Sequence, residues 1–304
     1  MNYQYFIADV FTRDVFNGAQ IAVFPNAAGL SDEQMRKVAN EINLWETVFI
    51  SPSDSGSTHR VRIFSPKHEV DFAGHPIIAA AFILGSCGGM TLNDGITPLV
   101  FEQNTGPVEV NITAENGKPV FVQFSNKVTS IIDRFTPSDE EMAALLSLQQ
   151  AELDHIKYSA RLVACGMPYL IVPVWKYDSV RKARFNYAAW SQSTAPQTAA
   201  QEILLFAPKT PYPDSDFNLR LLGPHIGQDD DPPVGSAIPA FASYLCSFDS
   251  TPKGTHVFTI DRGDAHSRRS VINVEMDHKG KAQLAVRVGG SAVIFAEGTI
   301  CLPD

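Results

Sequence analysis

The sequence contains little that would suit a nucleic acid, a membrane or a metal as partner. Its 304 residues carry 24 basic and 33 acidic side chains, a net charge of −9, and the basic residues form no cluster. The concentrated positive face that nucleic acids and anionic membranes require is therefore missing. The longest apolar stretch, around residues 77–84, is too short to span a bilayer. We expect no nucleic-acid partner and no membrane partner.

Motifs for metal, nucleotide and nucleophile chemistry are also missing. The chain has no H-E-x-x-H, no G-x-G-x-x-G or G-K-[ST] loop, and no G-x-S-x-G elbow around Ser236. His59, His68 and His75 are not spaced as ligands on one helix. We therefore expect neither a metal nor a cofactor.

The amino terminus and the cysteines indicate a reducing compartment. Residues 1–7 lack the basic region and cleavage site of a signal peptide, which predicts a cytoplasmic protein. Thiols stay reduced there, and without metal-ligand spacing we expect all four to be small core residues. They are Cys87, Cys165, Cys246 and Cys301.

One pattern is present twice. Residues 62–66 (Arg-Ile-Phe-Ser-Pro) lead to Gly74, and residues 220–224 (Arg-Leu-Leu-Gly-Pro) lead to Gly235. The length suits two domains of roughly 150 residues. The repeat predicts two similar domains that face each other across a cleft. We expect an N-terminal domain at 1–127, completed by 289–304, and a C-terminal domain at 128–288, with the hinge within 128–137.

Local patterns predict the helices. Ser31 and Gln34 form a capping box, and residues 138–142 repeat the same sequence signature. The run 76–84 is apolar nearly all round, so we expect a helix enclosed by strands. A matching helix is predicted for about 236–246, with Pro239 in its first turn.

The remaining segments are rich in strand-forming residues. The predicted strands are 3–11, 21–24, 47–50, 59–64, 108–112, 120–124, 161–164, 169–174, 271–276 and 284–288. Repeated strands around one buried helix predict an α+β fold, with two pseudo-symmetric domains that are each a curved, mostly antiparallel sheet around a central helix.

The two glycine-opened helices are candidate anion sites. The first N–H groups of a helix lack partners and carry partial positive charge, so two such ends would hold a small carboxylate-bearing substrate. Taken singly, Gly74 and Gly235 are also ordinary turn residues. The duplication favours the functional interpretation.

Glu46 is the candidate acid or base. It lies between a helix and a strand among apolar neighbours, and a desolvated carboxylate is suited to moving protons near neutral pH. A solvent-facing glutamate at a helix end is the alternative. For His75 the alternative is a helix-start residue bonded to a carbonyl, and for residues 229–231 it is a solvated acidic turn, above all at Asp230.

Seven motifs together resemble the phenazine-biosynthesis PhzF-like isomerase family from about residue 3 to residue 302. They are residues 16–19 (Phe-Asn-Gly-Ala), 30–35 (Leu-Ser-Asp-Glu-Gln-Met), 43–47 (Asn-Leu-Trp-Glu-Thr), 62–66 (Arg-Ile-Phe-Ser-Pro), 72–76 (Phe-Ala-Gly-His-Pro), 231–237 (Asp-Pro-Pro-Val-Gly-Ser-Ala) and 288–292 (Val-Gly-Gly-Ser-Ala). The resemblance implies the diaminopimelate epimerase-like fold, an active site between two domains, and a homodimer.

The resemblance also implies a cofactor-free proton transfer, as in isomerisation of a dihydro-hydroxyanthranilate. Glu46 would move the proton, while His75 and Asp231 would position the substrate and share protons with it. Three further residues would bind the substrate carboxylate: Gly74, Gly235 and Ser236. The related two-thiol epimerases have cysteines where this chain has Ala73 and Val234, which disfavours two-thiol racemisation.

Two departures from the family pattern concern the substrate. Trp45 replaces the usual serine before the glutamate and would reshape the pocket. The segment around Pro233 and Val234 loses a threonine hydroxyl. We therefore expect an isomerase or tautomerase of a small carboxylic acid other than the phenazine precursor. The alternative is a catalytically silent protein that binds a small acid.

Overall fold

The computed structural model describes residues 1–71, 74–228, 230–264, 266–280 and 284–302. The chain divides into two compact units. Unit 1 comprises Met1–Asn126 and Arg287–Asp304, and unit 2 comprises Lys127–Val286. The first unit is thus built from both ends of the chain.

The strands and helices are numbered in chain order. The strands are β1 (Asn2–Val10), β2 (Ala19–Phe24), β3 (Glu46–Ser51), β4 (His59–Phe64), β5 (Glu69–Val70), β6 (Gly95–Gln103), β7 (Gly106–Glu115), β8 (Lys118–Val128), β9 (Ile131–Asp133), β10 (Arg161–Cys165), β11 (Met167–Pro173), β12 (Glu202–Ala207), β13 (Phe217–Leu222), β14 (Gly254–Arg262), β15 (Ser270–His278), β16 (Leu284–Gly290) and β17 (Ala292–Cys301). The α-helices are α1 (Asp32–Ile42), α2 (Gly74–Ser86), α3 (Asp139–Leu145), α4 (Tyr177–Lys182), α5 (Tyr187–Gln192) and α6 (Ile238–Cys246).

Unit 1 is a mostly antiparallel sheet around α2. Strand β1 lies antiparallel between β2 and β17, β3 pairs antiparallel with β4, and β6, β7 and β8 form a meander. The parallel pairs are β2 with β3 and β4 with β6. Helix α2 packs against β1, β2, β3, β4, β7 and β17. Every residue from Gly74 to Leu84 is buried, which confirms the predicted enclosed helix.

Helix α1 directs the chain into β3. The predicted capping box is present: the Ser31 N–H donates to Gln34 Oε1 at 2.9 Å, and the Gln34 N–H donates to the Ser31 hydroxyl. The helix ends at Asn43, which is left-handed with φ of 53°. Three residues later β3 begins with Glu46. The position of this carboxylate is therefore set by a helix end and a strand start.

Unit 2 repeats the plan around α6. Strands β9, β10 and β11 form antiparallel pairs, β11 runs parallel to β12, and β12 pairs antiparallel with β13. Strand β13 runs parallel to β14, which pairs antiparallel with β15. Helix α6 packs on β10 and β11, and its Phe241 ring contacts the rings of Phe206, Phe217 and Phe258. The predicted α+β class is confirmed.

Two of the four cysteines differ from expectation, and part of the proposed hinge is a strand. The proposed hinge at 128–137 contains β9, which pairs with β10. Cys87 and Cys301 are exposed and therefore not core residues, because one follows the end of α2 and the other ends β17.

No helix within the described ranges is long and apolar enough to cross a membrane.

Glu202 is an unusual carboxyl group in unit 2. It opens β12, where it pairs in parallel register with the buried Tyr169. Burial raises the pKa of Glu202 to about 7. The folded protein therefore binds a proton at Glu202 between about pH 4.5 and 7, where the unfolded chain has lost it. Stability from this group is present at low pH and decreases as the pH rises through that interval.

Replacement of Glu202 with glutamine should remove this loss. We expect the unfolding free energy of Glu202→Gln, relative to wild type, to rise by ~1–3 kcal/mol between pH 4.5 and pH 8. Urea unfolding at both pH values measures the difference. A difference between the two proteins that does not change with pH would contradict the assignment.

Candidate active site

The candidate site in unit 1 is formed where β3 and α2 begin. Glu46 is the first residue of β3 and pairs with Ile21 of the parallel strand β2. His75 is the second residue of α2. The His75 Nε2 atom lies 2.7 Å from Glu46 Oε2, so the two side chains form a hydrogen bond. The His75 and Glu46 side chains are only 2% and 17% exposed.

This geometry differs from both alternatives considered for the pair. Glu46 does not face solvent, since its carboxylate contacts a buried imidazole. The Nε2 atom of His75 contacts a carboxylate and not a backbone carbonyl. His75 Nδ1 is buried and has no hydrogen-bond partner within the described part of the chain. The ring nitrogen of His75 that does not contact Glu46 is therefore available to another group.

The residues flanking the pair differ in exposure. Gly74 is buried at the start of α2, where the first N–H groups have no intrahelical acceptor. The Trp45 side chain, next to Glu46, is 44% exposed. Phe72 and Ala73 lie outside the described residues. Of the two positions that hold thiols in the related epimerases, Val234 is described, and it is buried.

Asp231 in unit 2 belongs to an ion network. Its Oδ2 accepts a hydrogen bond from Arg181 Nη1 at 2.6 Å, and its Oδ1 lies 3.6 Å from Arg262 Nε. The three side chains are between 7% and 14% exposed. Burial lowers the pKa of Arg262, and the neighbouring Asp231 opposes that shift. Arg181 thus holds the carboxylate by a hydrogen bond and Arg262 attracts it by charge alone, since Asp231 Oδ1 accepts no hydrogen bond from the described residues.

Ser236 has a single described partner, Tyr169. The buried phenol donates a hydrogen bond to Ser236 Oγ at 3.2 Å. Burial raises the pKa of Tyr169, so the phenol keeps its proton and remains a donor. Because Ser236 Oγ accepts that bond, its own hydroxyl proton is available to a ligand.

The second helix opening is less regular than the first. Gly235 begins a 3₁₀ turn, Gly235–Ala237, and α6 starts at Ile238, two residues later than predicted. The reason is Pro239, which has no N–H to donate to the Gly235 carbonyl four residues before it. The Ile238 N–H bonds that carbonyl instead.

The acidic segment before Asp231 is a turn. Asp230 is exposed and accepts a hydrogen bond from the Gly227 N–H at 3.1 Å, in accord with a solvated turn residue. Asp229 lies outside the described residues. Of the described members of this segment, Asp231 is the one paired with arginines, Arg181 and the buried Arg262.

Three functional candidates were not identified from the sequence: Arg181, Arg262 and Tyr169. Arg181 is 50 residues from Asp231, and Tyr169 is 67 residues from Ser236. Pairs so far apart leave no local spacing pattern.

Among the described residues, no group of three or more His, Cys, Asp or Glu side chains is placed to hold a metal ion.

Comparison with known proteins identifies the family. A model described as phenazine biosynthesis-like protein, PhzC-PhzF, matches residues 8–298. An uncharacterized isomerase of Mesorhizobium japonicum is 30% identical over 97% of this chain and 98% of its own length. The trans-2,3-dihydro-3-hydroxyanthranilate isomerase of Pseudomonas aeruginosa is 26% identical over 97% of this chain and 98% of its own length.

A solved structure agrees in fold. The PhzF-family phenazine biosynthesis protein of Bacillus anthracis superimposes with a TM-score of 0.86 at 19% identity, covering 99% of this chain and 100% of its own. The family model and the Mesorhizobium relative both span nearly the whole sequence. The chain belongs to the phenazine biosynthesis-like PhzC-PhzF family.

Proposed function

We propose that the protein is a cofactor-independent isomerase that moves a proton between two carbons of a small carboxylic acid. The observation that carries the proposal is the 2.7 Å contact between Glu46 Oε2 and His75 Nε2 at the start of a buried helix. The relatives named as isomerases support the reaction class.

Glu46 is the group that takes and returns the proton. Its carboxylate removes a proton from one substrate carbon, and the resulting carboxylic acid gives the proton to another, so the reaction is balanced without an oxidant or reductant. His75 holds Oε2 in one orientation. The other oxygen, Oε1, has no partner in the described residues and is available to the substrate. His75 Nδ1 offers a second polar contact.

Backbone and hydroxyl donors bind the substrate carboxylate. The first turn of α2 offers N–H groups beside Gly74, and unit 2 offers the Gly235 turn and the Ser236 hydroxyl. Asp231 positions the substrate as a fixed acceptor. The proposal follows the family resemblance in assigning one substrate to residues of both units, and in expecting a homodimer and a cytoplasmic enzyme.

Trp45 and the Pro233-Val234 segment are the proposed determinants of substrate choice. A half-exposed indole beside Glu46 adds apolar surface where the family pattern has a serine hydroxyl. Buried Val234 likewise replaces a hydroxyl with a methyl group. Both changes favour a less polar acid than trans-2,3-dihydro-3-hydroxyanthranilate.

The first test is proton exchange at carbon. The protein is incubated in deuterated water with a panel of small carboxylic acids that includes trans-2,3-dihydro-3-hydroxyanthranilate, and carbon-bound deuterium is followed by NMR. We expect Glu46→Gln to reduce the exchange rate by at least about 100-fold, because glutamine cannot accept the proton.

Glu41→Gln is the matched control, since Glu41 is an exposed glutamate of the preceding helix. It should exchange at the wild-type rate. Exchange that persists unchanged in Glu46→Gln would refute the role of Glu46. Binding of acids without exchange across the panel would instead support the silent binding protein.

The second test concerns Asp231. Arg181→Gln removes its nearest partner, and we expect exchange to slow about tenfold or more because the 231–236 segment loses its anchor. The same variant should lose ~1–3 kcal/mol of stability in urea unfolding, since a mostly buried carboxylate loses a charged hydrogen bond. Arg36→Gln, at an exposed arginine of helix α1, is the control. Equal exchange rates in the two variants would contradict the positioning role of Arg181.

A further inference from the structure

Unit 2 contains a cavity that the proposed reaction does not use. Its volume is about 260 Å³, and its lining includes none of the candidate catalytic residues. Five titratable side chains line it: Arg134, Arg161, Asp139, Asp154 and His155. His155 Nδ1 lies 3.7 Å from Asp139 Oδ2. Its remaining walls include apolar core residues such as Leu153 and Val172.

Asp154 belongs to the cavity lining and has one carboxylate oxygen without a partner. The residue is 2% exposed. Its Oδ1 accepts hydrogen bonds from the N–H groups of Ile156 at 2.9 Å and Lys157 at 3.1 Å. Its Oδ2 is buried and has no partner among the described residues. A buried acceptor left without a donor is costly, so the site favours a ligand that donates hydrogen bonds.

Arg161 presents an unused donor. The residue is 7% exposed, its Nη1 donates to the Ser247 carbonyl at 2.8 Å, and its guanidinium lies 3.8 Å from the Phe248 ring centre. Its Nε–H has no acceptor in the described part of unit 2. Burial lowers the pKa of Arg161, and the positive charge of Arg134 lowers it further. An anionic ligand group would relieve that repulsion.

The lining therefore suits a small molecule with both charges. Because Asp139 already has His155 beside it, the remaining charged groups of the lining are the Asp154 carboxylate and the two guanidinium groups, which favours a ligand that carries both an ammonium group and a carboxylate. The volume lies below the roughly 300 Å³ at which sites for drug-sized ligands begin, so the ligand is small. Leu153 and Val172 add an apolar wall.

We propose that this cavity is a second ligand site, which binds a free α-amino acid with a small apolar side chain. The ammonium group lies at Asp154, the carboxylate at the guanidinium groups of Arg161 and Arg134, and the side chain against Leu153 and Val172. Binding here is independent of chemistry at Glu46, so the site would serve regulation or sensing, and its test needs no turnover.

The test compares three probes that differ in charge alone. L-Valine carries both groups, 3-methylbutanoate lacks the ammonium group, and 2-methylpropan-1-amine lacks the carboxylate. Each is titrated into the ¹⁵N-labelled full chain, and the Ile156 and Lys157 amide signals are followed because both N–H groups bond Asp154. We expect saturable shifts with valine, at least about tenfold tighter than with either analogue. Equal binding of one analogue, or no saturation with valine, would overturn the proposal.

Two variants locate the site. Asp154→Asn should weaken valine binding at least about tenfold. Because this change also weakens the turn at Ile156, the exposed Arg134→Gln provides a second variant that leaves the buried contacts in place. It should weaken valine binding several-fold without lowering the melting temperature, while Arg36→Gln, an exposed arginine of unit 1, should change neither. Wild-type affinity in Arg134→Gln would place the valine site elsewhere and refute the assignment.

Discussion

The burial of α2 from Gly74 to Leu84 is the constraint on which unit 1 depends. A helix with apolar residues on every side cannot lie on a surface, so strands must surround it, and those strands come from both ends of the chain. Enclosure also fixes where the helix begins. The Gly74–His75 start is thereby held against the first residue of β3, and the imidazole loses contact with solvent while keeping its hydrogen bond to Glu46.

The two units share a plan and differ in their polar groups. In unit 1 the helix opening carries an imidazole bonded to a carboxylate. In unit 2 the corresponding opening carries a hydroxyl that accepts a bond from Tyr169, preceded by a carboxylate held by two arginines. Pro239 also alters the backbone of the second opening. A repeat of this kind places a glycine-opened helix start in each unit, and the substitutions around the two starts give them different polar groups.

Short-range features could be predicted from the sequence, and long-range ones could not. The capping boxes at Ser31 and Ser138 are correct because all their atoms come from four consecutive residues. The enclosed helix is correct because its composition leaves no polar face. Strand β17 was not identified, since its identity rests on pairing with β1 at the opposite end of the chain. Exposure of Cys87 and Cys301 depends on where α2 and β17 end, which composition does not reveal.

The candidate site shows the same contrast between local features, which the sequence predicts, and long-range contacts, which it does not. Glu46 and His75 were named from local sequence and family resemblance, but their contact joins residues 29 apart and required the fold. The arginines around Asp231 had no sequence signal, because a charged residue in a helix or strand is ordinarily a solvated one. The geometry brings Glu46 to His75, Asp231 to Arg181, and Ser236 to Tyr169.

A double-mutant cycle on Glu46 and His75 tests the central claim most directly. Exchange of carbon-bound protons for deuterium is measured for wild type, Glu46→Gln, His75→Gln and the double variant. If the two side chains act as one proton-handling unit, the double variant loses no more activity than Glu46→Gln alone. Losses that multiply, with each variant contributing its full factor independently, would contradict the account.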